Sequence, residues 1–392
     1  MVPSPKGFRF AAAKAGFKHE GRYDLGLILA ERPASAGGVF TTNLFKAAPV
    51  QQCIETLCTL RESRALLVNS GQANACTGDE GRVNCRLTLE MAAELAGCEL
   101  VEVLPASTGV IGQHLKLDKW RAALPRLKES LGEVGPVEVA KAIMTTDSFP
   151  KLAWRSLSVN GQEVRILGLA KGAGMICPNM ATMLGFVLTD ARVEPEAWRR
   201  MVSRAADRSF NRVTVDGDTS TNDCLIGLAG GASGVSLDEN DEAFMDALED
   251  VCQSLAYMIV EDAEGGTKVM RVTVVGAGDN SQAEWAARAV GNSPLVKTAL
   301  FGRDANWGRI VAALGRSGAQ FDPDRVSVAI GGITIFDRGR PMDGDLDAVL
   351  APLMRKQDVH INVSLGDGPG EYMLLASDLT HEYVSINADY RT

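Results

Sequence analysis

One hydroxyl in this chain stands where chemistry could be done with it. In Lys171-Gly-Ala-Gly-Met-Ile-Cys-Pro-Asn-Met-Ala-Thr-Met-Leu-Gly-Phe186, a glycine-rich turn and a Pro-Asn pair give way to Thr182 and the apolar run Met183 to Leu188. That layout puts Thr182 at the mouth of a buried strand. A threonine hydroxyl is a weak nucleophile unless a base adjoins it, and a threonine that becomes the first residue of a chain carries that base as its own α-amine. The bond of interest is therefore Ala181 to Thr182. The same residues also fit a structural reading, since threonine suits strands and Gly and Pro suit turns. Their neighbours in the chain have to decide between the two.

Other chemistry-bearing stretches are fewer. Pro105-Ala-Ser-Thr-Gly-Val-Ile-Gly112 follows a short strand expected at Leu100 to Leu104. A Ser-Thr-Gly turn there can aim a hydroxyl and a backbone N–H at a developing oxyanion, although from these residues alone an ordinary β-turn is the better reading. Arg212-Val-Thr-Val-Asp-Gly-Asp-Thr-Ser-Thr-Asn-Asp223 holds three aspartates among hydroxyls. It lacks the ligand order and final Glu of a calcium loop, so it reads as a hydrogen-bonded loop near the site. The acids of Val260-Glu-Asp-Ala-Glu-Gly-Gly-Thr-Lys268 read as solvated.

The eight cysteines form no Cys-x-x-Cys pair, and the four histidines are scattered without a His-Glu-x-x-His pattern. A zinc hydrolase is not expected, no metal site is assigned, and a Ser/His/Asp triad cannot be located by spacing. The cysteines read as buried thiols of a reduced compartment, and Cys177 has neither a His partner nor a cationic neighbour to make it a nucleophile.

The elements that must position these groups are legible in outline. Arg64 to Ser70 is a buried strand, and Val83, Leu87, Met91 and Leu95 mark a helix ended by Gly97. A second helix carries Trp120, Leu124 and Leu127, capped by Asp118, and a short helical stretch from Val137 to Met144 leads to Thr145-Thr-Asp-Ser148. Leu157 to Leu167 is a hairpin with a type I′ turn at Asn160-Gly161, whose second arm delivers Lys171. Phe244, Leu248, Val251 and Leu255 line a long buried helix. Ser281 and Glu284 read as a capping box opening another.

The smaller C-terminal unit is expected to carry strands at Val326 to Phe336, Val359 to Leu365 and Tyr372 to Leu375, giving a division into residues 1–283 and 284–392. A chain of 392 residues exceeds one ordinary core, and the mixed order of strands and helices favours layered α/β architecture over a doubly wound parallel sheet. With 46% hydrophobic residues and a net charge of −9, the chain can bury a large core and offers no cationic surface for nucleic acid or an anionic membrane. The absence of a signal segment or an 18-residue apolar run leads us to expect a cytoplasmic protein.

With these pieces in place, the sequence closely resembles the ornithine acetyltransferase (glutamate N-acetyltransferase) family of arginine biosynthesis, over essentially its whole length. The motifs that carry the resemblance are Phe40-Thr-Thr-Asn43, Asn69-Ser-Gly71 with Ala73-Asn-Ala-Cys-Thr-Gly78, Ser107-Thr-Gly-Val-Ile-Gly112, Lys171-Gly-Ala-Gly-Met175, Pro178-Asn-Met-Ala-Thr-Met-Leu184, Asp216-Gly-Asp-Thr-Ser-Thr-Asn-Asp223, Glu264-Gly with Thr267-Lys268, and Gly302-Arg-Asp-Ala-Asn-Trp-Gly308.

The resemblance implies an αββα layered sandwich with a smaller C-terminal α/β unit, self-cleaved between Ala181 and Thr182. It implies acetyl transfer from N-acetylornithine to glutamate through an acetyl-Thr182 intermediate, with acetyl-CoA as a further candidate donor and no cofactor. By the same resemblance Thr108 and Gly109 form the oxyanion hole, Thr145, Lys171, Thr182, Glu264, Asn387 and Thr392 contact substrate, and two copies of each cleaved chain assemble. Gln72 stands where a smaller amide is expected, and Cys177 occupies a variable position. Two rival readings are a self-processing aminopeptidase-like amidohydrolase of related fold and a non-catalytic protein holding a phosphate on its Gly-rich loops. The second finds no Gly-x-x-x-x-Gly-Lys-Ser/Thr to support it.

Overall fold

The computed structural model describes residues 2–18, 21–177 and 183–389. The chain divides into two compact units, Met1–Asn211 with Asp218–Ile259, and Arg212–Gly217 with Val260–Tyr390.

The first unit is built on strands β1 (Phe8–Ala13), β2 (Leu25–Phe40), β3 (Glu62–Gln72), β4 (Val103–Val110), β5 (Lys151–Val159), β6 (Gln162–Lys171) and β7 (Leu184–Thr189). After β8 (Val213–Thr214), which belongs to the second unit, β9 (Cys224–Ala229) completes it. These form one eight-stranded sheet in the order β4-β3-β2-β9-β7-β6-β5, with β1 also on β2. Its helices are α1 (Ala48–Thr59), α2 (Gly78–Ala96), α3 (Leu117–Ser130), α4 (Pro136–Ile143), α5 (Pro195–Asp207) and α6 (Glu242–Glu261).

The 16-residue β2 makes this sheet fold on itself. Its first part, from Leu25, pairs with β1 and β3, its last part, Ser35 to Phe40, pairs with β9, and the register shifts between Leu29 and Ala34, where a bulge lets a strand bend. Alternate side chains of the two halves then meet. Ile28, Leu66, Val68 and Leu104 from one half share a core with Leu167, Leu169, Phe186 and Ile226 from the other.

The intervening residues face outward to helices. Leu27 and Leu67 pack with Leu89 of α2 and Trp120 of α3. On the other half, a Cβ on Gly227 would lie 2.6 Å from Val202 of α5, and one on Gly168 2.7 Å from Val251 of α6. Glycine at both sites lets these helices sit close on the strands. Helices, half-sheet, half-sheet and helices make the expected αββα sandwich.

The second unit contains β8, β10 (Val269–Gly276), β11 (Ser327–Ile330), β12 (Ile333–Asp337), β13 (Arg340–Pro341), β14 (Asp358–Ser364) and β15 (Gly368–Ser377) in a seven-stranded sheet, order β13-β12-β11-β14-β10-β15-β8. With it run α7 (Asn280–Gly291), α8 (Pro294–Phe301), α9 (Trp307–Gly315), α10 (Asp347–Met354) and α11 (His381–Asp389). Ala283, Ala286, Ala287 and Val290, one stripe of α7, bury against Met270, Val272 and Val274 of β10.

Several expectations change. The boundary placed between residues 283 and 284 falls inside α7, because β10, an interior strand of the second sheet, precedes that helix and cannot be separated from it. The stretch Val326 to Phe336 is a hairpin rather than one strand, turned by Gly331 and Gly332 at φ +56° and +88°. The cap of α7 is Asp279, which accepts from the Gln282 N–H at 2.9 Å, not Ser281. Asp118 sits in the first turn of α3, whose N-cap is Lys116. The Asn160-Gly161 turn is as expected, both residues having positive φ. Cys53, Cys85, Cys224 and Cys252 are buried thiols, whereas Cys58 and Cys76 are exposed and Cys98 and Cys177 half-buried.

Candidate active site

Ser107-Thr-Gly is not a turn. It lies within β4, which runs parallel to β3 with Thr108 opposite Ser70 and Gly109 opposite Gly71. The strand ladder, rather than turn chemistry, aims the Thr108 hydroxyl. Gly109 has φ +130°, and a Cβ there would lie 2.4 Å from the Gly71 carbonyl carbon and 2.5 Å from the Gln72 nitrogen. Only glycine lets these two strand ends pass. Gly109→Ala is therefore expected to cost about 1–3 kcal/mol from backbone strain alone, with the backbone clash adding to it. Urea unfolding of the variant beside the parent measures the loss.

Lys171, buried at the end of β6, reaches Thr108: its Nζ lies 3.5 Å from Oγ1. This is a long contact, so the ammonium is held beside the hydroxyl with donor capacity free for another oxygen in the same space. Lys171 pairs across to Leu184 at the start of β7, and the Met183 carbonyl accepts the Cys224 N–H at 3.0 Å, tying β7 to β9. Asn222, just before β9, donates through Nδ2 to the Ala73 carbonyl at 2.6 Å and to the Ser107 carbonyl at 2.8 Å. The ends of β4, β6, β7 and β9 thus converge.

Beside them lies a network that sequence reading missed. Asp147, buried in the loop after α4, accepts the Thr145 N–H at 2.9 Å through Oδ2, and the Gly172 N–H at 2.6 Å and Lys151 Nζ at 2.7 Å through Oδ1. Lys151 is fully buried and lies 4.9 Å from the Phe149 ring centroid. Burial by itself would raise the Asp147 carboxyl. The Lys171 and Lys151 charges, with the hydrogen bonds from Lys151 and Thr145, outweigh it and hold the carboxyl at about 2.

Thr145 is thereby fixed relative to Lys171 by one carboxylate. Lys18 adds a further cation, donating to the Met144 carbonyl at 2.5 Å. Burial, with the Lys171 charge also acting downward, brings its amine to about 8 despite Asp24. A lysine opening a strand reads as a solvent-facing residue, so nothing in the sequence marked Lys151 as interior. Asp147 carried a weak signal, its place in Thr145-Thr-Asp-Ser148 beside a proposed substrate contact.

Two expected residues lie in the second unit. Asn387 of α11 donates through Nδ2 to Glu264 Oε2 at 2.9 Å. Glu264 is half-buried and its neighbour Asp262 buried, so this turn is not the solvated loop expected. Ala181, Thr182 and Thr392 lie outside the described residues. Gln72 is buried, with Oε1 accepting the Lys116 N–H at 3.3 Å and Nε2 without a partner among the described residues. The Cys177 carbonyl accepts the Thr219 hydroxyl at 3.1 Å. Among the described residues no group of three or more His, Cys, Asp or Glu is placed to hold a metal ion, and no helix is long and apolar enough to cross a membrane.

A hydroxyl, a strand-end backbone group and the ammonium groups of the buried Lys171 and the half-buried Lys18, all in the first unit, suit a reaction that develops negative charge on an oxygen and a substrate that carries a carboxylate. The model of the ArgJ family matches residues 9–392. The chain belongs to the ArgJ family. It is 58% identical over the full length of both chains to the arginine biosynthesis bifunctional protein ArgJ of Nitratidesulfovibrio vulgaris, and 49% identical, over 99% of each, to that of Geobacter sulfurreducens. Among solved structures, that of the Bacillus halodurans ArgJ bifunctional protein matches with a TM-score of 0.51 at 39% identity, covering 53% of this chain and all of that one. Family membership makes the chain an acyltransferase of arginine biosynthesis, as its motifs implied.

Proposed function

We propose that the chain cuts itself between Ala181 and Thr182 and then moves an acetyl group from N-acetylornithine to glutamate through acetyl-Thr182, in the cytoplasm and without a cofactor. The observation that carries this reading is the placing of Lys171 against Thr108 at the strand ends, with Met183, the residue bonded to Thr182, immediately before the neighbouring strand β7. Once free, the Thr182 amine serves as base for its own hydroxyl. The hydroxyl attacks the acetyl carbonyl of N-acetylornithine, ornithine leaves as the amine, and the glutamate amine then attacks the ester and takes the acetyl group.

In both steps the carbonyl oxygen gains charge. The Thr108 hydroxyl and the Gly109 N–H receive it, each such donor being worth about 3–4 kcal/mol when aimed at the oxyanion. Lys171 grips the substrate carboxylate with Thr145 beside it, and Glu264 grips an ornithine ammonium. Asn387, hydrogen-bonded to Glu264, holds that carboxylate in one orientation, and Thr392 completes the contacts. The bifunctional designation of the relatives supports acetyl-CoA as a second donor for the same acetyl-enzyme. The assembly we propose is two copies of each cleaved chain, which native mass spectrometry of the purified protein checks.

The test is a denaturing intact-mass spectrum after brief exposure to N-acetylornithine. We expect two chains, an acetyl group on the one beginning at Thr182, and loss of that group when glutamate is added. An uncut chain that still exchanges acetyl groups would refute the mechanism. Loss of the acetyl group at the same rate without glutamate would instead identify an amidohydrolase.

A further inference from the structure

Two ammonium groups stand in this site where one would serve the carboxylate common to both substrates. Lys151 is paired with Asp147, whereas Lys171 and Lys18 make no ion pair among the described residues. Each charge acts on the other. Like charges brought together away from water, with no acid in contact, are costly, and a ligand with anionic groups to match removes that cost. The two substrates differ in this respect. N-acetylornithine carries one carboxylate and a side-chain ammonium, whereas glutamate carries two carboxylates.

Lys18 is held in place at the strand ends. Asp24, fully buried, accepts the N–H groups of Ala15 and Phe17 at 2.6 Å each and that of Lys18 at 3.3 Å, and the Phe17 ring lies 5.2 Å from that of Trp120. The Lys18 stem crosses Gly71, which pairs with Gly109 on the β3–β4 ladder. A Cβ on Gly71, whose φ is +97°, would lie 2.7 Å from Lys18 Cγ. The ammonium donates to the carbonyl of Met144, the residue before Thr145, and Asp147 joins Thr145 to Gly172, the residue after Lys171. The Met144 carbonyl uses one ammonium donor and leaves the others for a ligand oxygen. Burial, with Lys171 and Arg22 also acting downward against Asp24 and Asp147, brings the amine to about 8. It is therefore mostly cationic at neutral pH.

We propose that Lys18 selects the dicarboxylate acceptor: its ammonium takes the side-chain carboxylate of glutamate, while Lys171 and Thr145 hold the carboxylate that glutamate and N-acetylornithine share. The two lysines are tied to Thr145 by separate links, Lys18 through the Met144 carbonyl and Lys171 through the Gly172 N–H and Asp147. A fixed second cation favours a second carboxylate and gives nothing comparable to an uncharged side chain of the same shape. Lys18 thus acts on the choice of acceptor and takes no part in the bond changes.

The proposal rests on glutamate being the acceptor, so the experiment compares glutamate with glutamine, which keeps the amine and the shared carboxylate and replaces the second carboxylate by an amide. The purified protein is assayed for kcat/KM with each acceptor, N-acetylornithine being the donor, and its affinity for each is read by isothermal titration calorimetry. Wild type is expected to prefer glutamate. Lys18→Met should shrink the glutamate-to-glutamine ratio by about 10- to 100-fold, the range of a hydrogen bond to a charged group, and Lys18→Arg should retain most of it because the charge remains. Lys18→Gln gives the same reading where the Met variant fails to fold, and a variant too slow to assay is judged on its ratio of affinities. General damage to the site lowers both acceptors together and leaves the ratio where it was. A ratio that the neutral variants leave unchanged, or that Lys18→Arg loses as fully as they do, would overturn the proposal while leaving acetyl transfer to glutamate intact. So would a wild type indifferent between the two acceptors. A wild type that transfers acetyl to neither would remove the parent reading and this one with it.

Discussion

Thr182→Ala is expected to yield an uncut chain of 392 residues and to lower acetyl transfer by about 10⁴-fold or more, the loss typical of deleting a covalent nucleophile. The variant removes two chemistries at once, because the hydroxyl that would attack the Ala181 carbonyl is the one that would carry the acetyl group. Thr182→Ser separates them. Serine keeps the hydroxyl and, once freed, the amine, so the cut and the transfer should both persist at reduced rate. Denaturing mass spectra report the cut, and release of ornithine from N-acetylornithine reports the transfer. Alanine and wild-type chains of equal activity would leave no room for a Thr182 nucleophile.

The second large effect is expected at Asp147. Asp147→Asn leaves the Lys151 and Lys171 charges buried without their shared counter-ion, and breaking a buried ion pair from one side costs about 3–5 kcal/mol. The Lys151 to Asp147 contact is fully buried on both sides, so no solvent screening reduces it. Chemical denaturation at neutral pH measures the loss. The double variant Asp147→Asn with Lys151→Met should recover part of it by removing one stranded charge; a double variant as unstable as the sum of the singles would show that the pair does not act as a unit.

The same carboxylate fixes a pH window. Its folded pKa of about 2 lies below the ordinary 3.8, so the stability it contributes, about 2 kcal/mol by linkage, is fully present above the ordinary value. It is lost as pH falls from there through about 2. Acid titration of stability in wild type should show this loss, and Asp147→Asn should not.

Local patterns sufficed for the Asn160-Gly161 hairpin, the α2 helix closed by Gly97 and the buried α6, because turn chemistry and helical periodicity act over a few neighbours. The motif set carried the family and the layered fold, and it supplied the candidate site residues on which the proposed function is built. Neighbours along the chain could not decide long-range pairing. Ser107-Thr-Gly read as a turn because its Gly invites one, yet pairing to β3 draws it into a strand and makes Gly109 obligatory through a contact with Gly71 far away in sequence. The boundary at 284 failed for a like reason, since only sheet order shows that β10 belongs with the C-terminal strands β14 and β15 that flank it.

Polar burial was equally hidden. Lys151 and Asp147 are charged residue types whose default is solvent, and local sequence offers no cause to place them inside. Their burial comes from the tertiary arrangement, in which strand ends converge and shut water out, so that each charge is left to its few protein neighbours. The sequence determined which groups can do chemistry. The folded structure decided which of them are kept dry, paired and held close enough to do it.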